Sequence, residues 1–324
     1  MRKYTGAISA SLAGLVLTTA AFAQAPAKPG GFPERAVGII VPYGAGGGSD
    51  QVARAWSKAM QKITGTAYQV QNKPGGGGLA AIPDFLSRPK DGYTILQQTD
   101  GLISAGAAKQ VQAEVGVDIE PICFTQATFS QIYIRPSETR FKDWASLVAY
   151  AKKNPGKLTL ANIGVEKSME VIQVAEIVKA AGIKVKTISY DKPTERYAAL
   201  LGSHADVLFE QPGDVRKFLE AKQMKPVLTI LNEAPSAFAD VPSLKDAKMN
   251  IPILLRVRGF WTHKDVPKAR KDYLRQACAV AFKEAGYQKF NKAKYMHLAR
   301  SYYDGADALK LVKDMMGTYR NAAK

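Results

Sequence analysis

The stretch Val37-Gly38-Ile39-Ile40-Val41-Pro42-Tyr43-Gly44-Ala45-Gly46-Gly47-Gly48-Ser49-Asp50 decides how the chain is read. Residues 36–41 are a short apolar run rich in β-branched side chains, the pattern of a buried strand. Beyond the loop, Val52, Trp56, Ala59, Met60 and Ile63 recur at three- and four-residue steps, giving one apolar helical face. Ser49 or Asp50 stands where a helix N-cap belongs. The glycines between lack a Cβ, so the loop turns sharply and brings bare N–H groups close to a ligand. Those amides sit at the positive end of a helix, where the first turn has no internal acceptors. The pattern predicts an anion site.

The loop lacks the Gly-Lys-Ser/Thr ending of a nucleotide P-loop. It also fails the dinucleotide pattern, because Ser49 stands at the third glycine position and no acidic residue ends the next strand near Gln71. Asp50 repels a multiply charged phosphate. A carboxylate fits better than a polyphosphate, and a tight turn that binds nothing is the plainer alternative.

Outward from this loop, Arg2 and Lys3 precede an apolar segment over residues 7–20, and Ala21-Phe22-Ala23 has the small-x-small form of a signal-peptidase site. The expectation is a signal peptide over 1–23, a flexible leader over 24–32 and an exported mature protein of about 300 residues, a size that suits two domains. The net charge is +17, and +15 without Arg2 and Lys3. The basic residues are dispersed, with no arginine-rich tract or zinc pattern, so no nucleic-acid partner is expected and a field attracting anionic solutes is.

Only Cys123 and Cys278 occur, and two cysteines fix no framework; buried free thiols are the favoured reading, one disulfide the other. His204, His263 and His297 have no metal-ligand spacing, and no nucleophile elbow is present. Neither an enzyme nor a cofactor or metal is indicated.

Strand and helix patterns alternate onward. Residues 68–71 read as a strand, 72–78 as a second glycine loop, 79–86 as a short helix and 93–97 as a strand, ending in Thr99-Asp100-Gly101. A second series begins near 131–135 and runs through helices at 143–153, 168–178 and 193–201 and strands at 158–161, 184–189, 207–210 and 226–230. Residues 253–260 look like a strand crossing back, with helices at 267–285 and 306–321. This predicts an α/β protein with domain 1 over 33–130 plus 253–324 and domain 2 over 131–252. Ligands in such sheets sit at the carboxyl ends of strands.

Phe32-Pro33-Glu34-Arg35, Val41-Pro42-Tyr43, the glycine loop ending in Asp50, Asn72-Lys73-Pro74-Gly75 and Asp91-Gly92-Tyr93-Thr94 follow one another in an order and spacing that resembles the periplasmic solute receptors of tripartite tricarboxylate transporters, the Bug or TctC family. The resemblance implies a type II periplasmic-binding-protein fold, two doubly wound α/β domains around a ligand cleft. It further implies a small organic acid as ligand (a di- or tricarboxylate, acidic amino acid or aromatic carboxylate), a membrane permease as partner, a periplasmic location and a monomer.

By position, the first binding loop is Tyr43, Gly44, Ala45, Gly46, Gly47, Gly48, Ser49 and Asp50, and the second is Ile163, Gly164, Val165, Glu166, Lys167 and Ser168. Gly76, Gly77, Thr99 and Asp206 match other cleft positions. The chain departs from the family at Ala161-Asn162-Ile163-Gly164-Val165-Glu166-Lys167-Ser168-Met169-Glu170, at Ile188-Ser189-Tyr190-Asp191-Lys192 and at Arg256 and Arg258. Alternation puts both arginines on one face, either clamping a second carboxylate or facing solvent on an edge strand. Glu166 and Lys167 touch the solute or form a solvated pair. Phe129, Tyr190 and Phe209 are candidates for an aromatic lining, with core packing favoured for Phe209. Two alternatives stay open: an exported enzyme on the same fold, and a receptor that hands its ligand-bound form to a sensor protein.

Overall fold

The computed structural model describes residues 25–162, 168–190 and 192–322. The expected signal peptide and the loop residues 163–167 lie outside the described residues. The first series of elements is β1 (Val37–Val41), α1 (Gly48–Thr64), β2 (Tyr68–Asn72), α2 (Ile82–Ser87), β3 (Thr94–Thr99), α3 (Asp100–Ala107) and β4 (Ile119–Thr128). The second comprises β5 (Gln131–Ile134), α4 (Trp144–Lys153), β6 (Leu158–Asn162), α5 (Met169–Ala181), β7 (Val185–Ser189), α6 (Pro193–Leu201), β8 (Val207–Glu210), α7 (Arg216–Glu220) and β9 (Lys225–Thr229). The chain then returns through β10 (Arg256–His263), α8 (Lys268–Phe282), α9 (Ala285–Ala293) and α10 (Gly305–Ala322).

Two five-stranded sheets result, ordered β2-β1-β3-β10-β4 and β7-β6-β8-β5-β9. In the first, β1 runs parallel to β2 and β3, and β10 is antiparallel to β3 and β4. In the second, β6 runs parallel to β7 and β8, and β5 is antiparallel to β8 and β9. The two sheets share one plan, in which a strand that crosses between the series enters antiparallel as the fourth. Parallel neighbours with intervening helices point their carboxyl ends the same way, and that rim carries the loops.

Local chemistry explains where the elements begin and end. Gly47 is the N-cap of α1, two or three residues earlier than the sequence suggests, and Gly65 closes the helix at φ 71°. That left-handed turn is one only glycine adopts without strain. The buried face of α1 presses Trp56 flat onto Phe260 of β10, ring centroids 3.8 Å apart. Asp143 and Ser146 form a reciprocal capping box at α4. The Gln173 side chain bonds Pro252 O and Leu254 N, fixing the returning segment to α5.

Two expectations are corrected here. Cys123 of β4 and Cys278 of α8 form a disulfide, because α8 lies against β4 and brings together residues 155 apart. The leader is not loose at its end: Lys28 donates to Pro33 O, and Phe32 is 1% exposed, edge-on to Tyr93 and Tyr273.

Candidate functional site

The carboxyl ends of β1, β2 and β3 converge on the hydroxyl of Tyr43. That hydroxyl donates to Gln98 Oε1 at 2.8 Å and lies 2.9 Å from Thr99 Oγ1. Gln98 in turn donates to Gly78 O, and Thr99 caps α3 by accepting from Gly101 N. A Cβ at Gly78 would stand 2.7 Å from the Tyr43 oxygen, so this second glycine loop approaches as closely as it does only because the side chain is missing. Burial pushes the Tyr43 phenol up to about 12, and the bond to Thr99 and the charge of Arg256 only partly offset it. The phenol is therefore a neutral donor. Tyr43, Gly76, Gly77 and Thr99 belong to one assembly.

Asp50 stands behind the first loop. Its carboxylate accepts from Gly46 N (2.9 Å), Arg54 Nε (3.0 Å) and Asn72 Nδ2 (3.0 Å), while Asn72 also donates to Tyr43 O. Burial works to raise this carboxyl, but the bonds from Arg54, Gly46 and Asn72 outweigh it and hold it below the ordinary 3.8. Asp50 is thus a positioning residue that consumes the Gly46 amide. Gly44, Ala45 and Gly46 are exposed, and no described residue accepts from the N–H groups of Gly44, Ala45, Gly48 or Ser49. These amides of the loop and of the first turn of α1 are placed where an anion could be received.

The second series meets this rim through charges. Arg256 Nη1 bonds both oxygens of Asp100 at 2.9 Å, and Nη2 bonds Glu170 of α5 at 2.6 Å. Glu170 also pairs with Arg196, which pairs with Glu210, and Tyr197 donates to Glu210 at 2.9 Å. Beside this chain, Arg258 bonds Gln126 (3.2 Å) and Asp214 (2.6 Å), with Lys294 Nζ 3.8 Å from the same carboxyl. Burial pushes Asp100 and Glu210 up, beyond what Arg256 and Arg196 offset. For Asp214 burial is outweighed by Arg258 and Lys294, and the carboxyl is held low. Burial opposes the charge of Arg256, yet Asp100 and Glu170 keep the guanidinium firmly protonated.

Several expectations change. Arg256 and Arg258 are 9% and 6% exposed on β10, an interior strand, so the solvent-facing reading is excluded; both hold the protein's own carboxylates. Asp206 precedes β8 at its amino end, bonded to Thr159 N (2.8 Å) and paired with Arg140. Parallel β6 and β8 put that end away from the rim formed by Asn162 and Glu210, so Asp206 is a structural residue rather than a cleft residue. Ser168 caps α5 by accepting from Val171 N. Tyr190 donates its N–H to Asn162 O beyond the end of β7 and is half-buried. Phe129 and Phe209 are both core residues, 1% and 0% exposed, so neither lines a pocket. Ile163, Gly164, Val165, Glu166 and Lys167 lie outside the described residues.

Sequence reasoning missed Asn72, Gln98, Glu170, Glu210, Asp214 and Lys294 as parts of the site. A polar residue ending a predicted strand, as at Asn72, Gln98 and Glu210, was the available signal for three of them; Asp214 and Lys294 carry none.

A family model described as tripartite tricarboxylate transporter family receptor, TctC, matches residues 52–320. The chain belongs to this family. A Cupriavidus necator relative, the UPF0065 protein in the gbd 5' region, is 28% identical over 243 residues, covering 74% of this chain and 73% of the relative. The solved structure of the periplasmic binding protein BugD superposes with a TM-score of 0.75 at 23% identity, covering 90% of this chain and 97% of that one. MatC from Rhodopseudomonas palustris with bound malate gives 0.78 at 18% identity, covering 90% and 100%. The fold is the type II periplasmic-binding-protein fold, two α/β domains each built on one five-stranded sheet. This family is one of solute-binding receptors, not an enzyme class.

Proposed function

We propose that the protein is a periplasmic receptor that captures a small organic carboxylate and presents it to the membrane permease of a tripartite transporter. The observation that carries this reading is the set of unpartnered amides of the exposed Gly44 and Ala45 and of the first turn of α1, on a loop braced by Asp50 and Tyr43. A carboxylate satisfies several of them at once and gains from the helix terminus. MatC, which shares the fold, has malate bound, and the carboxylate chemistry of that ligand is in keeping with this reading.

The working cycle is hinged closure of domain 2 (131–252) on domain 1. The acid adds bonds in the closed state that the open state lacks, and only that difference drives closure. The loop 163–168 is the expected contribution from domain 2, and Ser168 anchors it to α5.

The test is a thermal-shift screen of the mature chain against organic acids and their amides. A ligand present at about 100 times its Kd and bound to the folded state alone contributes roughly 2.7 kcal/mol. The expected result is that at least one acid raises Tm and its amide does not. Stabilisation by amides with no response to any acid overturns the carboxylate reading.

A further inference from the structure

The cations beside the site are matched by the protein's own acids. Among the described residues there, Arg196, Arg256, Arg258 and Lys294 face Asp100, Glu170, Glu210 and Asp214. Two of these pairs cross between the domains: Arg256 with Glu170, and Arg258 with Asp214. The second lies directly against the anion loop, since a Cβ on Gly48 would stand 2.5 Å from Arg258 Nη2 and 3.1 Å from Asp214 Oδ2. All these side chains are buried or nearly so, and a further buried charge needs a partner of its own.

We propose that Glu170 and Asp214 are specificity-determining residues: by occupying the arginines of β10 they restrict the site to acids with one carboxylate and an uncharged distal end, and exclude matched dicarboxylates. The inference rests on the carboxylate reading above. The single carboxylate takes the amides of Gly44, Ala45, Gly48 and Ser49. A second carboxylate extending toward β10 meets arginines already engaged, with Glu170, Glu210 and Asp214 beside them. It enters only by displacing one of these acids from its arginine, which leaves that acid buried with one partner fewer: Glu170 keeps Arg196, and Asp214 keeps Lys294. An amide at the same position adds no charge and carries its own donors to those oxygens.

The experiment is calorimetric titration of succinate, glutarate, adipate and terephthalate, each against its monoamide. The expected result is that the tightest-binding monoamide exceeds its diacid at least tenfold in affinity. Asp214→Asn and Glu170→Gln, measured singly, are expected to raise the diacid-to-monoamide affinity ratio at least tenfold. A diacid that binds wild type as tightly as its monoamide overturns the inference and leaves the carboxylate reading standing. A monoamide preference that neither substitution changes overturns the assignment to these two residues. Binding of no acid and no monoamide overturns both readings together. The wild-type ratio needs no variant, so a substitution that fails to fold leaves the inference testable.

Discussion

Asp50 brings a negative charge to the start of the helix where an external anion is expected, and its geometry reconciles the two. The carboxylate points behind the loop, where Gly46, Arg54 and Asn72 use both oxygens, and the amides of Gly44, Ala45, Gly48 and Ser49 are left without an acceptor among the described residues. Replacing it by asparagine keeps the shape but turns a charged acceptor into a neutral one. We predict that Asp50→Asn lowers stability at pH 7 by about 1.5–3 kcal/mol, the range for hydrogen bonds to charged groups, and weakens acid binding. The folded-state pKa lies below 3.8, so this contribution is complete above about pH 4 and fades as pH falls through the lowered value. Urea unfolding of both proteins checks it: the gap between them should narrow as the pH is taken below 4, and a constant gap contradicts the account. At this scale the first loop was legible, because strand, glycines and helix are contiguous in sequence. The ion-pair chain was not. Asp100, Glu170, Glu210 and Asp214 come from four separate rim positions, and no spacing in the sequence encodes their convergence on Arg196, Arg256 and Arg258.

Among the elements, those with a clean period were legible and those built from small or polar residues were not. β1, α1, α4 and α5 carry unbroken apolar patterns and recognisable caps. α3 reads Asp-Gly-Leu-Ile-Ser-Ala-Gly-Ala, and its two glycines and small residues dilute the helical period. β4 is buried along nearly all its length yet contains Pro121, Thr125, Gln126 and Thr128, so it resembles no simple strand. α9 starts at Ala285, where the expected helix 267–285 ends, and was not anticipated; Glu284, which caps α9 through Tyr287 N, marks the break from α8. Sheet order beyond β1, β2 and β3 was beyond reach, since β10 enters between β3 and β4 from far along the chain. That pairing also explains the disulfide: α8 follows β10 directly and packs on β4, bringing Cys278 to Cys123. We predict that the Cys123→Ser/Cys278→Ser double variant loses about 2–5 kcal/mol of stability, the usual range for a native bridge. Guanidinium unfolding with and without reductant checks this; the wild type should fall to the variant's midpoint when reduced, and an unchanged midpoint contradicts the bridge.

At the scale of the whole molecule, the two domains meet at Gly213, next to the Asp214 carboxyl that lies against Gly48 of the glycine loop. Gly213 lies so close to Lys294 that a Cβ there would stand 2.3 Å from its carbonyl oxygen, and Lys294 Nζ bonds Gly213 O at 3.1 Å. Arg216 reaches Ala293 O, and Phe238 rests on Tyr295 with ring centroids 5.3 Å apart. The proposed closure and the proposed anion site therefore share Asp214 and its neighbours. In the proposed cycle, a carboxylate on the amides at the start of α1 draws the domains together. Proton–nitrogen spectra of the protein labelled with 15N-glycine, titrated with the acid that raises Tm, test it most directly. The Gly44 and Gly48 amides are expected to move downfield, Gly46 and Gly47, already bonded to Asp50 and Gly44, to move less, and Gly213 to shift with the same midpoint. Binding of the acid with Gly44 and Gly48 unmoved would contradict it.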